Sequence, residues 1–140
     1  MSVDAIRVRE RLGIISDAER RLGELSNLSA DEFLADFRNT ESAKYLLIVA
    51  TEAAIDVCNH IAARQGGRSP EGYADCFTVL AELGILGDEL THRLRLMARF
   101  RNLLVHQDWQ VDNRRIYDVL QQNLTDLEAF RAQVADSLSL

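Results

Sequence analysis

Between positions 99 and 109 the chain reads Arg99-Phe100-Arg101-Asn102-Leu103-Leu104-Val105-His106-Gln107-Asp108-Trp109, which sets arginines, an amide and an imidazole close together. Arginine is a permanent cation whose planar fork matches phosphate oxygens, and histidine readily gives or takes a proton near neutral pH. Together they have the means to cleave a phosphodiester without a metal. Cleaving RNA that way needs a base for the 2′-hydroxyl proton, an acid for the leaving oxygen and cations for the crowded phosphorane. Arg101 suits the last role, and a pair of histidines, His106 from each of two chains, suits the first two. Asn102 could hold the imidazole or hydrogen-bond a phosphate oxygen, while Arg99 and Arg95 stand as supporting phosphate-binding charge.

On a helix each residue turns the side chain by about 100°, so His106 shares a face with Asn102 and roughly with Arg99 and Arg95. Arg101, five positions before His106, points about 140° away. One straight helix therefore does not bring both tips to one point. The helix could end at His106, the long arginine could reach round, or a second copy of the chain could supply the missing half, because an isologous dimer sets the same segment of two chains face to face.

Other candidates carry less. Asp56 lies one turn before His60 and is expected to pair with it as a helix-face ion pair rather than as a metal site, since two ligands do not hold an ion. His92 has only Asp88 for company. Cys58 and Cys76 lack metal or redox spacing and read as two buried thiols. Ser16 and Ser42 have no organised base. Gly66-Gly67 lacks the spacing and terminal lysine of a phosphate cradle. Trp109 could stack on a base or close the bundle, and Tyr117 could serve either purpose.

With 140 residues, the chain is the size of one domain, residues 1–140, able to bury roughly two-thirds of its unfolded surface in one core. Its longest apolar run, Tyr45 to Ala50, is far short of the ~18 residues of a membrane span. The first residues, Met1-Ser2-Val3-Asp4-Ala5-Ile6-Arg7, are charged and without the apolar core of a signal peptide, so we expect a cytoplasmic protein without membrane attachment. A net charge of −6 argues against a general nucleic-acid binder. Yet Thr91–Arg115 holds six arginines against two acids, a local balance of +4 that leaves −10 for the remainder. That distribution suits a focused anion site, with an acidic surface for another partner.

Apolar spacing of three and four residues, a single proline and clustered glycines predict an all-α up-down bundle of five to six helices. The first helix is expected over about Val3–Leu25. A capping box, Ser29 with Glu32, opens a short helix through about Arg38. A long central helix over about 41–65 carries Tyr45, Ile48, Val49, Ile55, Cys58 and Ala62 on its apolar stripe. Glu52 interrupts that stripe and must sit at its edge or find a partner, because an unpaired buried charge is costly. Further helices follow over about Gly72–Leu83 and Asp88–Val105, and a last one runs unbroken from about Asn113 to Ser137.

The run Phe100-Arg101-Asn102-Leu103-Leu104-Val105-His106, followed by Val111-Asp112 and Arg115-Ile116-Tyr117, resembles the HepT-like branch of the HEPN superfamily. Its signature is Arg, four to six residues, His, any residue, Tyr. The likeness extends through Tyr45–Ile61 and Phe77–Leu86 and covers roughly residues 5–135. It implies an all-helical homodimer with a cleft between protomers, acting as an endoribonuclease toxin that needs neither metal nor cofactor and cuts tRNA or mRNA. It also implies an MntA-like nucleotidyltransferase antitoxin that adds AMP to the motif tyrosine. Carried over, Arg101 and His106 become the catalytic pair and Asn102 their polar helper. The tyrosine position is Asp108 here, which offers no phenol and sets an anion near the expected phosphate. Control by tight antitoxin binding alone, modification elsewhere, and a chain that has lost or been engineered out of its switch all remain open. So does a catalytically weak module that binds nucleotide or RNA ends, or the nucleotidyltransferase, without cutting.

Overall fold

A computed structural model describes residues 2–140. Asp4 opens the first helix, α1 (Ala5–Ser26), its carboxylate accepting from the Arg7 N–H at 3.2 Å. The predicted capping box starts α2 (Ala30–Ala35), with the Ser29 hydroxyl accepting from the Glu32 N–H at 3.1 Å and the Glu32 carboxylate accepting from the Ser29 N–H at 2.9 Å. Extended Asp36 (φ −124°, ψ 113°) then separates α2 from α3 (Phe37–Arg64) and caps the latter through the Arg38 N–H. α2 thus ends earlier than expected, and the central helix begins four residues earlier than Glu41. The cause is an aspartate cap inside what looked like continuous helix.

α4 (Tyr73–Glu82) ends in a Schellman motif. Gly84, at φ +79°, lets its N–H reach the Ala81 carbonyl while the Ile85 N–H reaches that of Leu80, and both Leu80 and Ile85 are buried. α5 (Asp88–His106) leads through a single 3-10 turn (Asp108–Gln110) to α6 (Asn113–Gln122) and α7 (Leu124–Ser137). The last predicted helix is therefore two. Asn123, at φ −118° and ψ −2°, breaks it, and its side-chain amide donates to Asp126, one turn into α7. The apolar repeat runs on across the break, with Ile116, Leu120, Leu127, Phe130 and Val134 all buried. Periodicity alone could not reveal it.

Cross-helix bonds fix the up-down arrangement. Asp4 meets His60 and Arg11 meets Asp56, so α1 runs antiparallel to α3. Gly87 meets Gln133 and Arg93 meets Asp126, which sets α7 antiparallel to α5. Lys44 meets Asp108 and Glu52 meets Arg101, which does the same for α3 and the end of α5. Half of the 28 residues of α3 are buried, and every helix contributes to the one cluster of core side chains around it. α3 has the length and apolar content of a membrane span, but 67% of that stretch is enclosed by the bundle. Phe77 of α4 meets Phe130 of α7 edge to face, with centroids 5.9 Å apart.

Two expected placements differ. Tyr45 lies outside the buried stripe, 66% exposed, because the face toward the core runs through Ala43, Leu46, Leu47 and Ala50. His60 does not pair with Asp56. Its Nε2 accepts the Asp4 N–H at 2.9 Å, while Asp56 turns to Arg11, with 3.6 Å between the charged atoms. Burial, then the nearby charges of Arg64 and Arg7, push the His60 pKa below the ordinary imidazole value, against a weaker opposing pull from Asp4. Cys58 and Cys76 are free, fully buried thiols, and burial pushes the Cys58 thiol up first, with Cys76 adding to it.

Candidate functional site

α5 carries the Arg99–His106 stretch on the side of a helix fixed at both ends. At its start the Gly87 N–H donates to the Gln133 side chain at 3.0 Å, and Asp88 and Glu89 complement the positive end of the helix dipole. Leu90, Leu94, Met97, Ala98, Phe100 and Leu104 bury its inner face. Gln107, at φ −140° and ψ 41°, then stops the helix immediately after His106. Val111 returns to the core and Asp112 caps α6 through the Arg114 N–H.

Arg101 is largely enclosed, its side chain only 11% exposed. One terminal nitrogen donates to Glu52 of α3 at 2.5 Å and the other to the side-chain Oδ1 of the neighbouring Asn102 at 3.0 Å. The ring of Tyr73, the first residue of α4, lies 4.9 Å from the guanidinium carbon. Its Nε is buried without an acceptor. Glu52, which the sequence required to sit at an edge or find a partner, does both: its side chain is 48% exposed and it meets Arg101. Asn102 therefore stands between the pair, bonded to Arg101 and one helical turn before His106.

His106 is exposed at the end of the helix. α5 remains helical through it, so the angular separation from Arg101 persists and the two side chains do not bond to each other within the chain. Arg99 is exposed, and neither it nor Arg115 has an ion-pair partner among the described residues, whereas Arg93, Arg95, Arg101 and Arg114 all do. Arg95 is occupied with α4, donating to the Thr78 hydroxyl at 2.5 Å and the Ala74 carbonyl at 3.5 Å, with Asp75 at 3.9 Å. The structure thus groups Arg101, Asn102 and Glu52, leaves His106 and Arg99 open, and turns Arg95 away.

Asp108 does not stand as an open anion beside His106. It meets Lys44 of α3 at 3.0 Å, and Lys44 also holds Glu41 at 3.3 Å. Burial works against the Lys44 charge, but the two carboxylates outweigh it and raise its pKa. Trp109, 81% exposed, does not close the bundle, and Tyr117 is committed to structure, donating to the Leu28 carbonyl at 2.7 Å and packing on Phe33. Glu52, Lys44 and Tyr73 escaped assignment from the sequence as neighbours of the motif. Only the position of Glu52 on an apolar stripe hinted at any of them. Among the described residues no three histidine, cysteine or carboxylate side chains gather as a metal site.

Comparison with known proteins places this chain in a family. A family model described as ribonuclease HepT-like matches residues 15–134. An mRNA nuclease HepT of Shewanella oneidensis is 32% identical over 99 residues, spanning 71% of this chain and 74% of that protein. A tRNA nuclease HepT of Aphanizomenon flos-aquae is 27% identical over 117 residues, spanning 83% and 79%. The solved structure of the tri-AMPylated Shewanella oneidensis HEPN toxin in complex with MNT antitoxin superposes with a TM-score of 0.86 at 26% identity, covering 93% of this chain and 97% of that one. With the family model spanning most of the bundle, the helix of Arg101 and His106 included, this chain belongs to the ribonuclease HepT-like family.

Proposed function

We propose that this chain, acting as one domain over residues 1–140, is a cytoplasmic endoribonuclease toxin that works without a metal at a cleft between two copies. A nucleotidyltransferase antitoxin holds it in check. The observation that carries this reading is the end of α5, where an enclosed, positioned Arg101 and an exposed His106 lie a few residues apart. Membership in a ribonuclease family supports the reaction, as do the names of the mRNA and tRNA nucleases it resembles. The toxin–antitoxin complex among its structural neighbours supports the partner.

The two residues divide the chemistry. His106 takes the 2′-hydroxyl proton as the 2′ oxygen attacks phosphorus, and His106 of the partner subunit gives a proton to the departing 5′ oxygen, which leaves a cyclic phosphate. Arg101, held by Glu52 and Asn102, faces the charge that develops on the phosphorane. Arg99 adds an unpaired cation on the His106 face. The angular gap between Arg101 and His106 is the reason for assigning the cleft to two chains. Asp108, lacking a phenol, leaves the antitoxin to act through binding alone or through another residue.

Purified chain incubated with total RNA in excess chelator tests this. Wild type is expected to cleave and His106→Ala to lose at least about a hundredfold in rate. Equal cleavage by both proteins, or cleavage that stops with chelator, would overturn it. Asp108 at the motif tyrosine's position favours a second reading, a module that binds RNA ends or its partner without cutting. Its mark is an inert wild type in the same assay.

A further inference from the structure

A cleft of about 270 Å³ opens between α3, α5 and α6 beside Arg101. Leu96, Met97 and Leu104 give it apolar walls, and Arg93, Arg101 and Arg115 surround them. The three arginines differ in their freedom. Arg93 is neutralised by Glu89 at 2.8 Å and Asp126 at 2.9 Å. Arg101 is paired with Glu52, yet its Nε lies buried without an acceptor. Arg115 has no ion-pair partner among the described residues and sits over Phe100, its guanidinium carbon 4.8 Å from the ring centroid. The aromatic ring thus holds that cation from one side, while the exposed side chain remains open to a ligand. Asp118 and Gln122 form a polar end to the same cleft.

We propose that this cleft is a nucleotide subsite, in which a single base of the RNA strand stacks on Arg115 and the apolar walls while its phosphate lies toward Arg101. Bases stack on guanidinium planes as they do on aromatic rings, and the polar end offers groups for the base edge. The volume lies just below the ~300–1,000 Å³ of pockets that enclose drug-sized ligands, so it takes one nucleotide and not a length of strand. Arg115 becomes a positioning residue for the substrate, and the basic segment of the sequence acquires a purpose beyond the catalytic pair. The assignment rests on the ribonuclease reading for which strand enters, but the cleft itself is testable apart from cleavage.

Met97 supplies the probe, because the chain has only two methionines, Met1 and Met97. Full-length protein carrying ¹³C-methyl methionine would be titrated with AMP and, separately, with inorganic phosphate. A saturable shift of the Met97 methyl signal with AMP but not phosphate is expected, with affinity falling about tenfold in Arg115→Ala. Arg115 is exposed, so that variant keeps its fold. A silent Met97 signal, an equal response to phosphate, or an unchanged affinity in Arg115→Ala would overturn the subsite. So would a homodimer that covers the cleft, since it would keep AMP out. His106-dependent cleavage with a silent Met97 would defeat this proposal alone, and a Met97 response in a chain that cuts no RNA would defeat the catalytic reading alone.

Discussion

Lys44 is the only lysine among 16 basic residues, and it sits where α3 meets the turn after His106. Its side chain is 14% exposed and lies between Asp108 and Glu41, so the turn that follows the proposed catalytic histidine is fastened to the central helix by charge. Asp108 is half-exposed, which limits what that fastening is worth. A double-mutant cycle of Lys44→Ala and Asp108→Ala, read by urea unfolding, is expected to give a coupling of about 0.5–1 kcal/mol in low salt, shrinking as salt is added. A coupling indistinguishable from zero would mean that backbone bonds alone hold the turn. The pair also marks the limit of reading residues from sequence. Arg101, Asn102 and His106 could be singled out as candidates because they fall within one short run, and helical geometry relates neighbours a turn apart. Glu52 lies 49 positions from Arg101, and nothing local indicates that the two would meet.

At the scale of elements, most helices were legible because apolar spacing, the Ser29–Glu32 box and the glycine at the end of α4 each act locally. The break at Asn123 was not, and the one between α2 and α3 was expected a few residues later than Asp36, where the structure has it. Neither carries glycine or proline, and both interrupt sequence that also satisfies a continuous helix. The joint between α1 and α3 makes a measurable prediction. The Asp4 N–H needs an unprotonated His60 Nε2, and His60 is 8% exposed with its pKa held below the ordinary 6.5. The unfolded chain therefore takes up the proton more readily than the folded one. The stability this contributes is complete above pH 6.5 and is lost as pH falls through the folded value. Urea unfolding at pH 7.5 and pH 5 should show a smaller acid-side loss in His60→Gln than in wild type. An identical pH dependence in both proteins would remove His60 as the cause. The loop before α4 behaves differently. There Arg68 grips Asp75 at 2.6 Å and, with the Glu71 N–H, holds its pKa down at about 2, so this anchor persists until strongly acidic pH.

Across the whole molecule, the all-α bundle and its antiparallel order follow from helix lengths and short connections, which is why the architecture was predictable while the contacts inside it were not. The charge map was legible only in part. The sequence locates six arginines between Thr91 and Arg115, but folding sorts them: four acquire carboxylate partners, and Arg99 and Arg115 do not. An arginine already neutralised by its own protein adds little to the release of condensed cations from the RNA, since any charge it lends to a phosphate is offset by the carboxylate set free. RNA binding per chain should then follow a log–log salt slope of about −1.4, as for two free cations on a single strand, and not about −4 as for six. Affinities measured by fluorescence anisotropy with the uncleavable His106→Ala protein, from low to moderate salt, distinguish these values. A slope near −4 would mean that RNA strips the internal pairs apart. The shallow slope would make this a nuclease whose hold on its substrate depends largely on shape and stacking, and weakens with ionic strength far less steeply than its count of arginines suggests.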